Sequence, residues 1–101
     1  MIKKRFFKTI DECEVTFEYA NNEAQQAALV SDFNGWQPLS MKKAKKRGSP
    51  FRVKVRMPKD GQYQFRYLIN GRTWTNDVDA DEEWANEFGE SNSVVNTFAQ
   101  Q

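Results

Sequence analysis

Apolar and polar residues alternate with a period of two through most of this chain, and a helical period hardly appears. In "ECEVTFEY", Cys13, Val15, Phe17 and Tyr19 alternate with Glu12, Glu14, Thr16 and Glu18. That is the pattern of a strand with one dry face and one wet face. "FRVKVRM" repeats it, with Phe51, Val53, Val55 and Met57 against Arg52, Lys54 and Arg56. "QYQFRYLIN" does so again: Tyr63, Phe65, Tyr67 and Ile69 point one way, and Gln62, Gln64, Arg66 and Leu68 the other. Further strands are expected in "AQQAALVSD" and in "SVVNTF" near the end. Turn signals separate the runs: "NGWQP", "RGSP", "PKDG" and the Asn70-Gly71 pair. Short strands at this spacing predict an all-β chain, an antiparallel sandwich or barrel. The stretch from Asp77 to Asn92 is the longest without a strand pattern, a length at which loops are usually functional or mobile.

Two tryptophans stand out against this background. "SDFNGWQP" sets Trp36 directly on an Asn-Gly turn, where burial is hard; the ring either folds back as a lid on the core or is displayed for stacking. Trp74 follows a second Asn-Gly, and loop length decides its face. A two-residue Asn70-Gly71 loop pairs Ile69 with Arg72 and Tyr67 with Trp74, sending the indole inward. A three-residue loop, Ile69 to Gly71 with Gly71 left-handed, pairs Leu68 with Arg72 and Arg66 with Trp74, leaving the indole outside. Turn statistics favour the first, and the polar character of "RTWTN" the second.

Composition narrows the chemistry. The 101 residues are 39% hydrophobic and 29% charged, enough for one core, so residues 1–101 are expected to form a single domain. No apolar run approaches the roughly 20 residues that cross a bilayer, and "MIKKRFFKTI" lacks a signal-peptide core, so no membrane partner and a cytoplasmic location are expected. Cys13 is the only cysteine and excludes an internal disulfide. Without histidine, the common zinc sites and histidine-based triads cannot be built. A net charge of +1 argues against a nucleic-acid partner. Asp77, Asp79 and Asp81 have the opening spacing of a calcium loop, but Glu82 replaces the required glycine and Phe88 the bidentate glutamate, so no metal is expected. The basic run "KKAKKRG", Lys42 to Gly48, reads as a solvated strand edge and turn, its lysines blocking edge pairing.

The order "ALVSDFNGW", "MPKDGQYQFRYLINGRTW", "EFGESNSVV" resembles carbohydrate-binding module family 48 from about Val15 to Phe98. The family includes the glycogen-binding domain of the AMP-activated protein kinase β subunit and N-terminal modules of isoamylases and branching enzymes. The resemblance implies an immunoglobulin-like, early-set antiparallel β-sandwich that binds glycogen- or starch-like α-1,4-glucans without catalysis and without a cofactor. It assigns the sugar site to Trp36, Arg66 (where the family has lysine), Trp74, Phe88 and Asn92. Against the family pattern, this chain has one extra residue after Asn70-Gly71, and Glu90 stands where a threonine is usual. The extra residue makes the longer hairpin loop attractive.

In such a site indoles would lie on the C–H faces of glucose rings, while Arg66 and Asn92 would reach the hydroxyls. The implied partners are an α-glucan and a glucan-metabolising enzyme. The first alternative is a protein-interaction module of such an enzyme with a degenerate sugar face; the second is single-stranded nucleic-acid binding, with tryptophans stacking on bases. Trp84, in "DEEWANEF", is expected to plug the core beneath the long loop, with a third platform as its other use.

Overall fold

The computed structural model describes residues 1–99, so Gln100 and Gln101, the end of the expected 1–101 unit, lie outside the described residues. The chain is all-β and antiparallel throughout. Its strands are β1 (Ile2–Phe6), β2 (Glu12–Tyr19), β3 (Ala27–Ser31), β4 (Leu39–Lys43), β5 (Phe51–Pro58), β6 (Gln62–Ile69), β7 (Thr73–Thr75), β8 (Glu82–Ala85) and β9 (Ser91–Asn96). They hydrogen-bond in the order β1-β2-β5-β4-β3-β6-β9-β8, with β7 added to β6.

Strand β4 makes this one sheet curl. Its first residues, Leu39 to Met41, pair with β3, while Lys42 and Lys43 pair with Arg52 and Phe51 of β5. The sheet bends there and folds over, so the apolar faces of β2, β5 and β6 meet across a common core. Phe17 of β2 meets Phe65 of β6 edge-on at 5.0 Å between centroids, and Tyr19 meets Tyr67 at 5.3 Å. These are the inward positions of the period-two runs, and burial of such rings is the main favourable contribution to the fold. The basic run begins where β4 has left β3: Lys42 and Lys43 pair with β5 alone, a local strand edge, and Lys45, Lys46 and Arg47 are exposed in the turn that follows.

The segment expected to be a long loop contains a strand. β8 pairs with β9 from Glu82↔Val94 to Ala85↔Ser91. Trp84 lies opposite Asn92, half-buried on the face away from the core, so it is not a core plug. Two of the three calcium-spaced acids, Asp77 and Asp81, have their carboxylates taken up structurally. Asp77 is buried; its Oδ2 accepts the Tyr67 hydroxyl at 2.7 Å and its Oδ1 accepts the Asp79 N–H. Burial, then this carboxylate, pushes the Tyr67 hydroxyl far above the ordinary tyrosine range, so it remains a donor. Asp81 Oδ2 instead accepts from Lys4 Nζ at 2.7 Å and from the Asn96 N–H at 2.8 Å.

Candidate functional site

The first tryptophan is aimed by a turn bolted to the middle of the sheet. Ser31, the last residue of β3, donates its hydroxyl to the Gln64 carbonyl at 2.8 Å and accepts the Phe33 N–H. Asp32 Oδ1 accepts the Gln64 N–H at 3.0 Å. Two side chains thus take both backbone groups of Gln64 where the β3–β6 ladder ends at Ser31↔Phe65. Asp32 to Asn34 form a single 3-10 turn, closed by Gly35 with φ +74° and Trp36 with φ +66°. The left-handed region is free for glycine but costs a bulky side chain about 1–2 kcal/mol. A Trp36 N–H bond to the Ser31 carbonyl at 2.9 Å holds it there, and the ring remains 43% exposed.

The second tryptophan also lies outside, by a route neither expected loop describes. Asn70 (φ +52°) and Gly71 (φ +70°) form the left-handed turn of the shorter loop, with the Arg72 N–H on the Ile69 carbonyl at 3.1 Å. Strand pairing resumes only at Ile69↔Thr73, so Arg72 is looped out. Trp74 consequently faces Leu68 rather than Arg66 or Tyr67. Leu68 and Arg66 share the outer face, so Trp74 joins it. Asn70 tolerates its conformation because its Oδ1 accepts the N–H groups of Gln25 and Gln26, tying the hairpin to the neighbouring loop.

Between the tryptophans runs the outer face of β6. Arg66, opposite the buried Val30, places its guanidinium 5.4 Å from the Trp74 ring centroid and donates from Nη1 to Glu90 Oε1 at 3.2 Å. Only 16% of its side chain is exposed, and Nε is buried with no hydrogen-bond partner among the described residues. Asn92 is buried and engaged on both sides: Nδ2 donates to Gln64 Oε1 at 3.1 Å, and Oδ1 accepts from Asn86 Nδ2 at 3.3 Å. Asn92 therefore orients Gln64 and Asn86, and the Gln64 Nε2 hydrogens remain for a ligand. Asn86 also shapes the β8–β9 loop, its Oδ1 accepting the N–H groups of Phe88 and Glu90. Phe88 rides on that loop, 80% exposed.

All five residues singled out in the sequence, Trp36, Arg66, Trp74, Phe88 and Asn92, line one open concavity of about 790 Å³. Val30, Gln64, Asn86, Glu87 and Glu90 complete its wall. Gln64 could have been found by alternation, two positions before Arg66 on the same face; nothing local distinguishes Asn86 or Glu87. Three aromatic side chains, an apolar floor and a row of amides suit a ligand with C–H faces and hydroxyl edges.

Asp32 offers a test of the bolted turn. Burial pushes its carboxyl above the ordinary range, partly countered by the Gln64 N–H. The folded state therefore holds the proton more tightly than the unfolded one, and stability falls as pH rises through the unfolded value toward the folded one. Asp32→Asn keeps an oxygen acceptor and loses that charge, so it is expected to be neutral or stabilising at pH 7, its advantage vanishing in acid. Asp32→Ala leaves the Gln64 N–H unpaired and is expected to cost about 1–2 kcal/mol in denaturant unfolding.

No family model matches the chain. Among curated proteins it is 31% identical over 81 residues to phosphoglucan phosphatase LSF1, chloroplastic, of Arabidopsis thaliana, covering 80% of this chain and 13% of that protein. Among solved structures it is similar to the enterobactin esterase FES of Shigella flexneri (TM-score 0.73, 11% identity, 99% of this chain and 34% of that one). It is likewise similar to the ferric enterobactin esterase of Salmonella typhimurium (TM-score 0.74, 10% identity, 95% of this chain and 34% of that one). The chain thus spans about a third of those structures and a smaller part of the phosphatase, and the structural likeness concerns the fold alone.

Proposed function

We propose that this chain is a non-catalytic module for α-1,4-linked glucans of the glycogen or starch kind, built as an immunoglobulin-like early-set sandwich of carbohydrate-binding module family 48. The observation that carries the proposal is the convergence of Trp36, Trp74, Phe88, Arg66 and Asn92 on one concavity from four separate stretches of chain. The likeness to a phosphoglucan phosphatase supports it, since that protein's name joins it to a glucan.

The physical fit is direct. A glucose unit offers faces of C–H groups to the exposed indoles, and an α-1,4 chain curves, so two rings set apart can follow it where a flat polymer would touch only one. Rigid aromatic platforms contribute area at small entropic cost. The Gln64 amide and the Arg66 guanidinium supply hydrogen bonds at the hydroxyls, with Asn92 and Asn86 holding Gln64 in place. An open site of this kind binds weakly, with Kd between about 10 µM and 1 mM, on the order of −4 to −7 kcal/mol. Titration with maltoheptaose is expected to change tryptophan fluorescence saturably in that range, almost independently of salt. No response at roughly 10 mM sugar would remove the reading.

One observation favours a second reading. Glu90 occupies the position where the family has threonine, and it engages Arg66. A face altered in this way could dock a glucan-metabolising enzyme instead of a sugar. Silence toward oligosaccharides, together with capture of such an enzyme that Trp36→Ala abolishes, is the outcome belonging to that reading.

A further inference from the structure

Three formal charges line the concavity: Arg66, Glu87 and Glu90. The cation is not free, because its Nη1 is committed to Glu90 Oε1 at 3.2 Å and its plane lies near Trp74. Glu87 has no such counter-charge among the residues lining the concavity, so the wall carries a formal excess of one negative charge. An uncharged sugar senses this only through hydrogen bonds. A phosphate monoester, carrying about −1.5 to −2 near neutral pH, meets it as repulsion.

We propose that Glu87 and Glu90 make this site discriminate against phosphate-bearing stretches of an α-glucan, directing the module to unphosphorylated chain. The inference rests on the glucan reading and adds the charge class of the ligand to it. Glu90 acts twice. It contributes its own negative charge, and it withdraws Arg66, the one group in the wall that would otherwise attract a phosphate. At separations of about 8 Å in water-like surroundings, such repulsion amounts to a preference of about fivefold for the neutral sugar at low salt.

The test compares maltoheptaose with maltoheptaose phosphorylated on most of its 6-hydroxyls, so that no bare run spans the site. Calorimetric titrations use the wild-type chain, Glu90→Gln, and the double variant E87Q/E90Q. The measured quantity is the ratio of the two affinities, in about 10 mM and about 500 mM salt, between which the screening length shrinks several-fold. The wild type is expected to prefer the neutral sugar about fivefold at low salt, with the gap closing at high salt. Glu90→Gln should bring the ratio near unity, and the double variant should reverse it. Equal binding of both sugars by the wild type overturns the inference. So does a gap that persists through high salt and through E87Q/E90Q, since that marks bulk rather than charge. If neutral maltoheptaose itself fails to bind, the glucan reading falls and this inference with it, whereas a failed ratio with intact neutral binding removes the inference alone.

Discussion

Trp36→Ala and Trp74→Ala are each expected to weaken maltoheptaose binding about tenfold or more while leaving the domain folded. The two rings are 43% and 47% exposed, so each has a free face to give a sugar, and neither belongs to the buried core cluster. A tenfold loss is about 1.4 kcal/mol, the scale expected when one aromatic platform is truncated in a site built on three. The stability cost should be near 1 kcal/mol for either variant. At position 36 the left-handed backbone is as unwelcome to alanine as to tryptophan, so its strain persists. At position 74 the stacking of Arg66 is lost, an interaction of about 0.5–1 kcal/mol at a partly exposed site. Equilibrium unfolding beside the sugar titration checks both numbers. A variant that unfolds would show its ring to be part of the core.

The second large effect is purely structural. Phe65→Ala is expected to lower stability by about 3–5 kcal/mol, enough to leave a small domain largely unfolded near 37 °C. Phe65 is fully buried and packs edge-on against both Phe17 and Tyr67. Its neighbour Arg66 points the other way, so Arg66→Ala should change stability by only about 1 kcal/mol while reducing sugar affinity. Adjacent residues of one strand then fail in different assays. Should Arg66→Ala prove as destabilising as Phe65→Ala, the guanidinium would be acting as a structural tie between β6 and the β8–β9 loop.

Much of this was legible from alternation. β5 and β6 each bury one side, so Val55, Phe65 and Tyr67 announce the core and Arg66 the outer face. In β2 Phe17 is a core residue as alternation predicts, but Thr16 and Glu18 on the expected wet face are buried as well, Glu18 accepting from Arg52. The edge strands were not legible. In β8 the order Glu-Glu-Trp-Ala gives no apolar stripe, and in β1 the residues between Ile2 and Phe6 are all basic, so neither shows the contrast that a half-buried strand requires. β4 changes partner partway, and no local pattern encodes a bend whose cause is pairing with two other strands.

The Asn70-Gly71 turn was correct in kind, but register depended on whether Arg72 joined the ladder, which its polar side chain does not decide. At the site, five of the residues that line the concavity could be named through family resemblance, because aromatic rings on turns are conspicuous. The Asn86–Asn92–Gln64 relay could not: amides declare their partners only once the chain has brought them together. With Arg72 looped out of the ladder, Trp74 keeps its outward face.

The central claim is that two indoles on one face grip one glucan chain together. The most direct measurement follows the indole N–H resonances of the ¹⁵N-labelled chain during titration with maltoheptaose, assigned through single Trp→Phe variants. The account predicts that the Trp36 and Trp74 signals shift together, saturably and with one common Kd, while the Trp84 signal moves less. A titration in which either resonance stays still, or in which the two report different affinities, contradicts it.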